Sequence, residues 1–106
     1  MKLYLDDERP APAGWTAARW PNEAIAHLQT GQVEELSLDH DLGDDARGTG
    51  YDVLLWIEEA VAVRGFNPPR LISVHSANPS ARQKMELAIQ SIERLRQAGG
   101  VAGRKP

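Results

Sequence analysis

Three short apolar segments, each ended by an acidic residue or a histidine, limit the folds open to this chain more than any other feature. The segments cover residues 2–5, 35–38 and 71–74. Asp6 and Asp7 follow the first segment, Asp39 follows the second and His75 follows the third. Short apolar runs bounded by polar residues are typical of β-strands. We therefore predict three strands whose carboxyl ends carry polar side chains.

A long helix is predicted after the last strand. Apolar residues between Ala81 and Leu95 recur at the spacing of one helix face. Asn78-Pro79 is typical of a helix start, with a capping residue followed by proline at the first helical position. Gly99-Gly100 is typical of a helix end. We therefore expect one amphipathic helix between these two signals.

Two further helices and one uncertain strand complete the predicted elements. The clearer helix covers residues 50–64, preceded by Thr49 and Asp52, which can form a capping box. A shorter helix is predicted over residues 22–30. A strand at residues 16–20 rests on little more than flanking tryptophans and turn residues, so a strand and a loop remain equally open there.

Strands that alternate with helices predict an α/β fold with a mostly parallel sheet, because parallel strands need right-handed crossovers. The chain has 106 residues, of which 42% are hydrophobic and 25% charged, which suits one globular domain. We expect that domain at residues 1–97 and a flexible tail at residues 98–106. The strand ending at Asp6 should lie beside the one ending at Asp39, with the strand ending at His75 next to it.

Composition disfavours several classes of protein. The chain has no cysteine, no charged and apolar leader, and no apolar run near the ~20 residues that cross a bilayer. We therefore expect a cytoplasmic protein that does not bind a membrane. Its net charge is −3 and its basic residues are scattered, so binding of duplex nucleic acid is not expected.

The predicted sheet brings a group of ionisable side chains to one edge, where ligands of parallel sheets bind. The group comprises Asp6, Asp7, Asp39, His40, Asp41 and His75. Four carboxylates at one edge repel each other unless a proton, solvent or a cation intervenes. Mg²⁺ or Mn²⁺ is the natural cation, because both prefer oxygen ligands and keep water molecules that a phosphate can replace.

Roles for individual residues follow from their chemistry. His75 can act as a general acid or base near neutral pH. Arg9 and Ser76 can bind phosphate oxygens. If the extended backbone continues past residue 38, Asp41 points to the same side as Asp39 and His40 to the opposite side. The expected ligand is therefore a small phosphorylated molecule.

Several other residues have simpler structural interpretations. Asp44 and Asp45 are typical turn residues, His27 lies on a predicted helix surface, and Asn78 is a helix cap. The three tryptophans are better explained by packing than as a platform for stacked bases. They are Trp15, Trp20 and Trp56.

Four segments of the chain resemble the cyclic-phosphate processing receiver-like domains, which are related to the receivers of two-component response regulators. The segments are LDDERP (5–10), LDHDLG (38–43), TGYD (49–52) and HSANP (75–79). The resemblance covers roughly residues 1–97. It implies a flavodoxin-like three-layer sandwich, a divalent metal held by Asp6, Asp7 and Asp39, and action on a cyclic phosphate of a nucleotide or of an ADP-ribose type metabolite.

The chain also departs from an ordinary receiver, in which Asp39 would be the phosphoacceptor. Residues 8–18 contain prolines and a glycine, so the first receiver helix should be shortened or missing. The hydroxyl residue that follows the fourth receiver strand corresponds to either His75 or Ser76. Lys105 matches the receiver lysine in type only, since no convincing strand precedes it.

Three functions remain open. The preferred hypothesis is a metal-dependent phosphoesterase, in which Asp41 binds the ion or orients water and His75, with His40, transfers protons. The alternatives are a signalling receiver phosphorylated on Asp39 and a non-catalytic binder of phosphorylated nucleotides. A lysine in contact with Asp39 would favour the receiver, whereas histidines facing the metal would favour the esterase.

Overall fold

The computed structural model describes residues 1–104, with side chains up to residue 98, and confirms the predicted α/β class. The elements are β1 (Lys2–Leu5), β2 (Trp15–Ala18), α1 (Pro21–Leu28), β3 (Glu35–Leu38), a 3₁₀ turn (Asp45–Arg47), α2 (Gly50–Arg64), β4 (Leu71–Val74) and α3 (Pro79–Arg104). The three predicted strands have the expected bounds. The uncertain strand near residue 16 is present as β2.

The sheet has four parallel strands in the order β2-β1-β3-β4, which confirms the predicted neighbours. Leu5 pairs with Leu38, and Leu38 pairs with Val74. The residues that follow these three are Asp6, Asp39 and His75. The register of the sheet therefore places them side by side, in one row across three adjacent strands.

All three helices pack on one face of the sheet. The connections from β2 to β3 and from β3 to β4 cross the sheet in the same direction, so right-handed crossovers put α1 and α2 on the same side. α3 packs against α2. The strand residues in the hydrophobic core all point to the same face of the sheet: Leu3, Leu5, Ala18, Leu36, Leu38, Ile72 and Val74.

The opposite face of the sheet carries no helix in the part of the chain that the structure describes. Lys2, Leu71 and Ser73 are exposed there and Tyr4 is half-buried. The connection from β1 to β2 runs in the opposite direction, so its helix would have covered this face, but residues 6–14 form no helix. The described part of the chain therefore forms two layers, one of helices and one of strands, where three were expected. The receiver-like order of the parallel strands is confirmed.

The starts of α2 and α3 were correctly predicted from capping residues. Thr49 Oγ1 accepts a hydrogen bond from Tyr51 N (3.2 Å), and Asp52 Oδ2 accepts one from Thr49 N (2.7 Å). Asn78 Oδ1 accepts from Ala81 N (3.1 Å) at the start of α3. These side chains satisfy backbone N–H groups that have no partner within the helix.

The predicted end of α3 at Gly99-Gly100 is wrong, because the helix continues to Arg104. Glycine in a helix costs about 1 kcal/mol relative to alanine, which weakens a helix without ending it. The flexible tail at residues 98–106 stays a prediction, and Lys105 lies outside the described residues. No helix in the described part of the chain combines the length and apolar character of a bilayer span.

Gly50 lets α2 begin directly against the end of β3. A Cβ atom on Gly50 would lie 1.8 Å from the carbonyl oxygen of Asp39, and Gly50 N donates to His40 O (3.1 Å). No side chain fits in that space without moving backbone. The glycine therefore holds the Asp39 segment close to the first turn of α2.

We predict that Gly50→Ala lowers the free energy of unfolding by about 1–3 kcal/mol, because the added methyl group must displace the Asp39 backbone. Urea denaturation measures the loss. Gly65→Ala is the control: its Cβ meets open space, but its φ of +69° should cost about 1 kcal/mol. Wild-type stability in Gly50→Ala would contradict the close approach.

Candidate metal and phosphate site

A cleft of about 320 Å³ lies beyond the carboxyl ends of β1, β3 and β4. It is lined by Asp6, Asp7, Glu8, Arg9, Asp39, Asp41, Gly43, Ser76, Ala77 and Asn78. This is the edge at which parallel sheets bind ligands. Six of the eight residues that the sequence singles out line this cleft, and His40 and His75 do not.

Asp6 is the most buried carboxylate of the cleft and has the most hydrogen bonds. Its Oδ1 accepts from the backbone N–H groups of Glu8 and Arg9, both at 2.8 Å. Its Oδ2 lies 3.0 Å from His75 Nε2. Burial alone would raise the pKa of Asp6, but these hydrogen bonds and the nearby His75 outweigh it and lower the pKa. Asp6 is therefore held as a carboxylate.

Asp39 has the opposite electrostatic balance. Burial raises its pKa; the His40 N–H, which donates to Asp39 Oδ1 at 2.8 Å, opposes that rise, and the negative charge of Asp6 adds to it. The net result is a raised pKa. The ionised form of Asp39 is thus disfavoured in the protein alone, and a cation beside it would relieve the penalty.

The donor atoms in the cleft suit a hard divalent cation. One ligand atom from each of Asp6, Asp39 and His75 lies within 4.8 Å of the others. Asp39 Oδ2 and both carboxylate oxygens of Asp7 have no hydrogen-bond partner in the described part of the chain. Oxygen-rich sites of this kind fit Mg²⁺ or Mn²⁺. The predicted ligands Asp6, Asp7 and Asp39 all line the cleft, and the structure adds His75 at its edge.

His75 sits behind Asp6, with a partner at each ring nitrogen. Its Nδ1 lies 2.7 Å from Ser37 Oγ and its Nε2 lies 3.0 Å from Asp6 Oδ2. Its ring stacks on Tyr4 with a centroid distance of 4.3 Å and an interplanar angle of 1°. These contacts fix the ring and orient Asp6. Proton transfer by His75 stays a prediction.

Ser37 and Tyr4 are site residues that the sequence reasoning missed. Ser37 lies between two leucines of β3, which is the one sequence signal that could have found it, and it is buried in the fold. Tyr4 has no such signal, because a tyrosine is ordinary in a strand. Both share the sheet face with His75, as the register of β1, β3 and β4 requires.

His40 and Asp41 form a hydrogen-bonded pair, with His40 Nδ1 2.9 Å from Asp41 Oδ1. Asp41 lines the cleft together with Asp39, whereas His40 does not line it. This separation agrees with the predicted alternation past β3. The two histidines therefore do not both face the cleft, and a direct role of His40 in proton transfer is not favoured.

Arg9 and Ser76 reach the cleft as expected of phosphate-binding residues. The loop after β1 carries Arg9, whose Nη1 donates to His75 O at 3.5 Å. Ser76 is buried, and its Oγ accepts from Asn78 N (3.1 Å), which leaves its hydroxyl proton available. Of the two residues that could correspond to the receiver hydroxyl residue, Ser76 lines the cleft and His75 does not.

A parallel sheet with an acidic cleft at the carboxyl ends of its strands defines a receiver-like α/β domain. Residues 1–91 match the family model described as the cyclic-phosphate processing receiver domain, and the chain belongs to that family. The resemblance identified from the four sequence segments is thereby confirmed. Searches of curated proteins and of solved structures found no match.

We predict that millimolar Mg²⁺ or Mn²⁺ raises the melting temperature, because the ion binds the folded state only. At one hundred times Kd the gain is about 2.7 kcal/mol. Asp39→Asn should abolish this gain. It should also raise the melting temperature of the metal-free protein at neutral pH, because it removes a buried charge.

The expected rise in the melting temperature of the metal-free Asp39→Asn variant follows from the raised pKa of Asp39. The folded state binds this proton more tightly than the unfolded state, so the destabilisation is present at neutral pH and is lost as pH falls through the folded pKa. Thermal melts at several pH values measure it. The exposed Asp45→Asn variant is the control. A melting curve that metal leaves unchanged would disprove the site.

Proposed function

We propose that this protein is a metal-dependent phosphoesterase that hydrolyses a cyclic phosphate on a nucleotide or on an ADP-ribose type metabolite. One observation carries the proposal: carboxylates with unpaired oxygens line the same cleft as an arginine and a serine, which are side chains that can donate hydrogen bonds to phosphate. The carboxylates are Asp7 and Asp39, and the donors are Arg9 and Ser76. Membership of a family described by cyclic-phosphate processing supports the choice of substrate.

Asp6, Asp7 and Asp39 are the residues that would hold Mg²⁺ or Mn²⁺. When bound, such an ion polarises the phosphoryl group and lowers the pKa of a bound water molecule. The low pKa of Asp6 supports this role, because an ionised carboxylate is the stronger metal ligand. His75 helps by holding Asp6 in one orientation.

Arg9 and Ser76 are assigned to the substrate. A guanidinium group can donate two parallel hydrogen bonds to phosphate oxygens, and the serine hydroxyl can donate a third. Asp41, at the exposed rim of the cleft, can orient the attacking water through its carboxylate. His40 restrains the Asp41 side chain by their hydrogen bond.

Ring opening needs two proton movements. The water oxygen forms a bond to phosphorus and loses a proton, while the ester bond that closes the ring breaks and its oxygen gains one. We assign the proton transfer to His75, whose Nε2 lies 3.0 Å from Asp6 Oδ2 and which has a ring nitrogen within 4.8 Å of an Asp39 oxygen. Ser37 at Nδ1 keeps the ring oriented while Nε2 exchanges its proton.

A receiver phosphorylated on Asp39 is the second candidate, because Asp39 occupies the end of β3 with one carboxylate oxygen unpaired. No lysine lines the cleft among the described residues. The esterase was expected to have both histidines facing the metal. This condition is met only in part, since His75 contacts a cleft carboxylate and His40 does not face the cleft. A non-catalytic binder would use the same groups without turnover.

A screen of nucleoside cyclic phosphates with Mg²⁺ or Mn²⁺, followed by phosphorus NMR, tests the reaction directly. We expect at least one cyclic phosphate to open to a monoester, and Asp39→Asn to abolish this turnover. If no cyclic phosphate is opened while acetyl phosphate labels Asp39, the receiver function takes its place.

We predict that His75→Ala lowers kcat by about 100-fold or more while the substrate Kd changes little, because a positioned acid-base group contributes 10²- to 10⁴-fold. Ser76→Ala should cost less.

The same variants separate proton transfer from positioning. If His75→Ala weakens Mg²⁺ binding in calorimetry but keeps kcat at saturating metal, then His75 only orients Asp6 and the assigned proton transfer is wrong. His75→Gln should restore metal affinity in either case, because an amide can still donate to Asp6, but it should restore turnover only if positioning is the sole role.

A further inference from the structure

A tryptophan with two guanidinium groups on its ring lies beside the acidic cleft. The Arg19 and Arg47 guanidinium carbons are 4.8 Å and 4.0 Å from the Trp20 ring centroid. Arg19 and Trp20 follow β2, and Arg47 ends the 3₁₀ turn after β3. Both segments leave the sheet at the edge that carries the cleft. Arg19 Nη1 donates to Asp7 O at 3.3 Å, so the cluster adjoins a cleft residue.

The two guanidinium groups have no carboxylate partner within salt-bridge distance in the part of the chain with described side chains. Some arginines elsewhere pair with glutamates, as Arg70 does with Glu35 and Arg82 with Glu86. The hydrogen bond from Arg19 N and the charge of Arg47 both help to lower the pKa of Glu23, but no salt bridge joins Glu23 to either guanidinium group among the described side chains. Such unpaired charges in a binding region are available to a ligand.

Trp20 holds the guanidinium groups in a way that leaves their hydrogen-bond donors available. A cation over an indole ring interacts through the face of the guanidinium or through its charge, whereas a carboxylate would occupy the N–H groups. Each arginine has five N–H donors in a planar fork that matches phosphate oxygens. Arg19 uses one of them on Asp7 O.

The carboxylate of Glu23, in the first turn of α1, already accepts hydrogen bonds from backbone N–H groups. Glu23 Oε1 accepts from Arg19 N (2.8 Å) and from Trp20 N (3.1 Å), which closes the start of α1. Its carboxylate therefore serves the helix start and forms no salt bridge with either guanidinium group among the described side chains. The Trp20 ring, engaged by arginines, acts as their support, in agreement with the packing role expected from the sequence.

We propose that Arg19 and Arg47, supported by Trp20, bind a second phosphate group of the substrate. The substrate class is then a nucleotide that carries a terminal phosphate in addition to its cyclic phosphate. The carboxylates of the cleft attract a metal ion, and the two guanidinium groups on Trp20, of which Arg19 contacts Asp7 O, attract an anion, so one ligand with two phosphate groups satisfies both. This inference rests on the proposed function for its cyclic phosphate.

The test compares adenosine 2′,3′-cyclic phosphate with the same compound bearing a 5′-phosphate, both with Mg²⁺. Binding is followed by the indole N–H resonance of Trp20, assigned with Trp20→Phe, and hydrolysis by phosphorus NMR. We expect the 5′-phosphate to lower Kd at least tenfold. Arg19→Gln and Arg47→Gln should each remove most of that gain, since one charge-assisted hydrogen bond corresponds to about tenfold in Kd.

Arg64→Gln is the matched control. Arg64 also lies over a tryptophan, 5.5 Å from the Trp56 ring centroid, and this pair lines a different pocket. The substitution removes the same charge, so it should leave both Kd values unchanged. Arg19, Arg47 and Arg64 are all exposed, and their variants should keep the wild-type melting temperature.

Equal Kd values for the two nucleotides in the wild-type protein would overturn the second phosphate site, as would the absence of any Trp20 shift with either. Hydrolysis of both at equal efficiency would leave the esterase standing without this site. Binding that depends on the 5′-phosphate and is lost in the arginine variants, but without hydrolysis, would support the site and contradict the esterase.

Discussion

The hydrogen bonds of one buried carboxylate, Asp6, connect the loop after β1 to the residue that follows β4, and the geometry of the site depends on them. Its two oxygens accept from the loop after β1 and from His75 after β4. These bonds replace water that burial removes, so the carboxylate stays charged with a lowered pKa. Asp39 accepts a hydrogen bond from the His40 N–H, which does not offset its burial, and its pKa rises. The pKa values of the two neighbouring carboxylates are thus shifted in opposite directions, and Asp39 gains most from a cation.

The missing first helix shapes both the fold and the site. In its place, residues 6–14 form a loop that Asp6 Oδ1 organises and that brings Arg9 to the cleft. The same omission leaves one face of the sheet without a helix in the described part of the chain. Tyr4 and Ser37 on that face hold the His75 ring. The site is therefore supported from the face that an ordinary receiver would cover with a helical layer.

Much of this could be predicted from local sequence. Strand bounds, helix caps and the acidic edge follow from apolar runs and capping residues such as Thr49 and Asn78, which act over a few positions. The predicted end of α3 was wrong because glycine only weakens a helix. Ser37 and Tyr4 were missed because their importance depends on His75, which lies 38 residues or more further along the chain.

By itself, the sequence determined that polar residues end three parallel strands and that carboxylates collect at one edge. Only the tertiary structure decided which of these residues line the cleft and which contact one another. Strand register places Asp6, Asp39 and His75 in one row, and packing turns His75 toward Asp6 and keeps His40 outside the cleft lining. Arg19 and Trp20 are neighbours in one loop and Arg47 comes from another, so the cluster forms only in the folded protein. The physical reason is that residue type and spacing act locally, whereas distances between strands and loops are set by the packing of the whole domain.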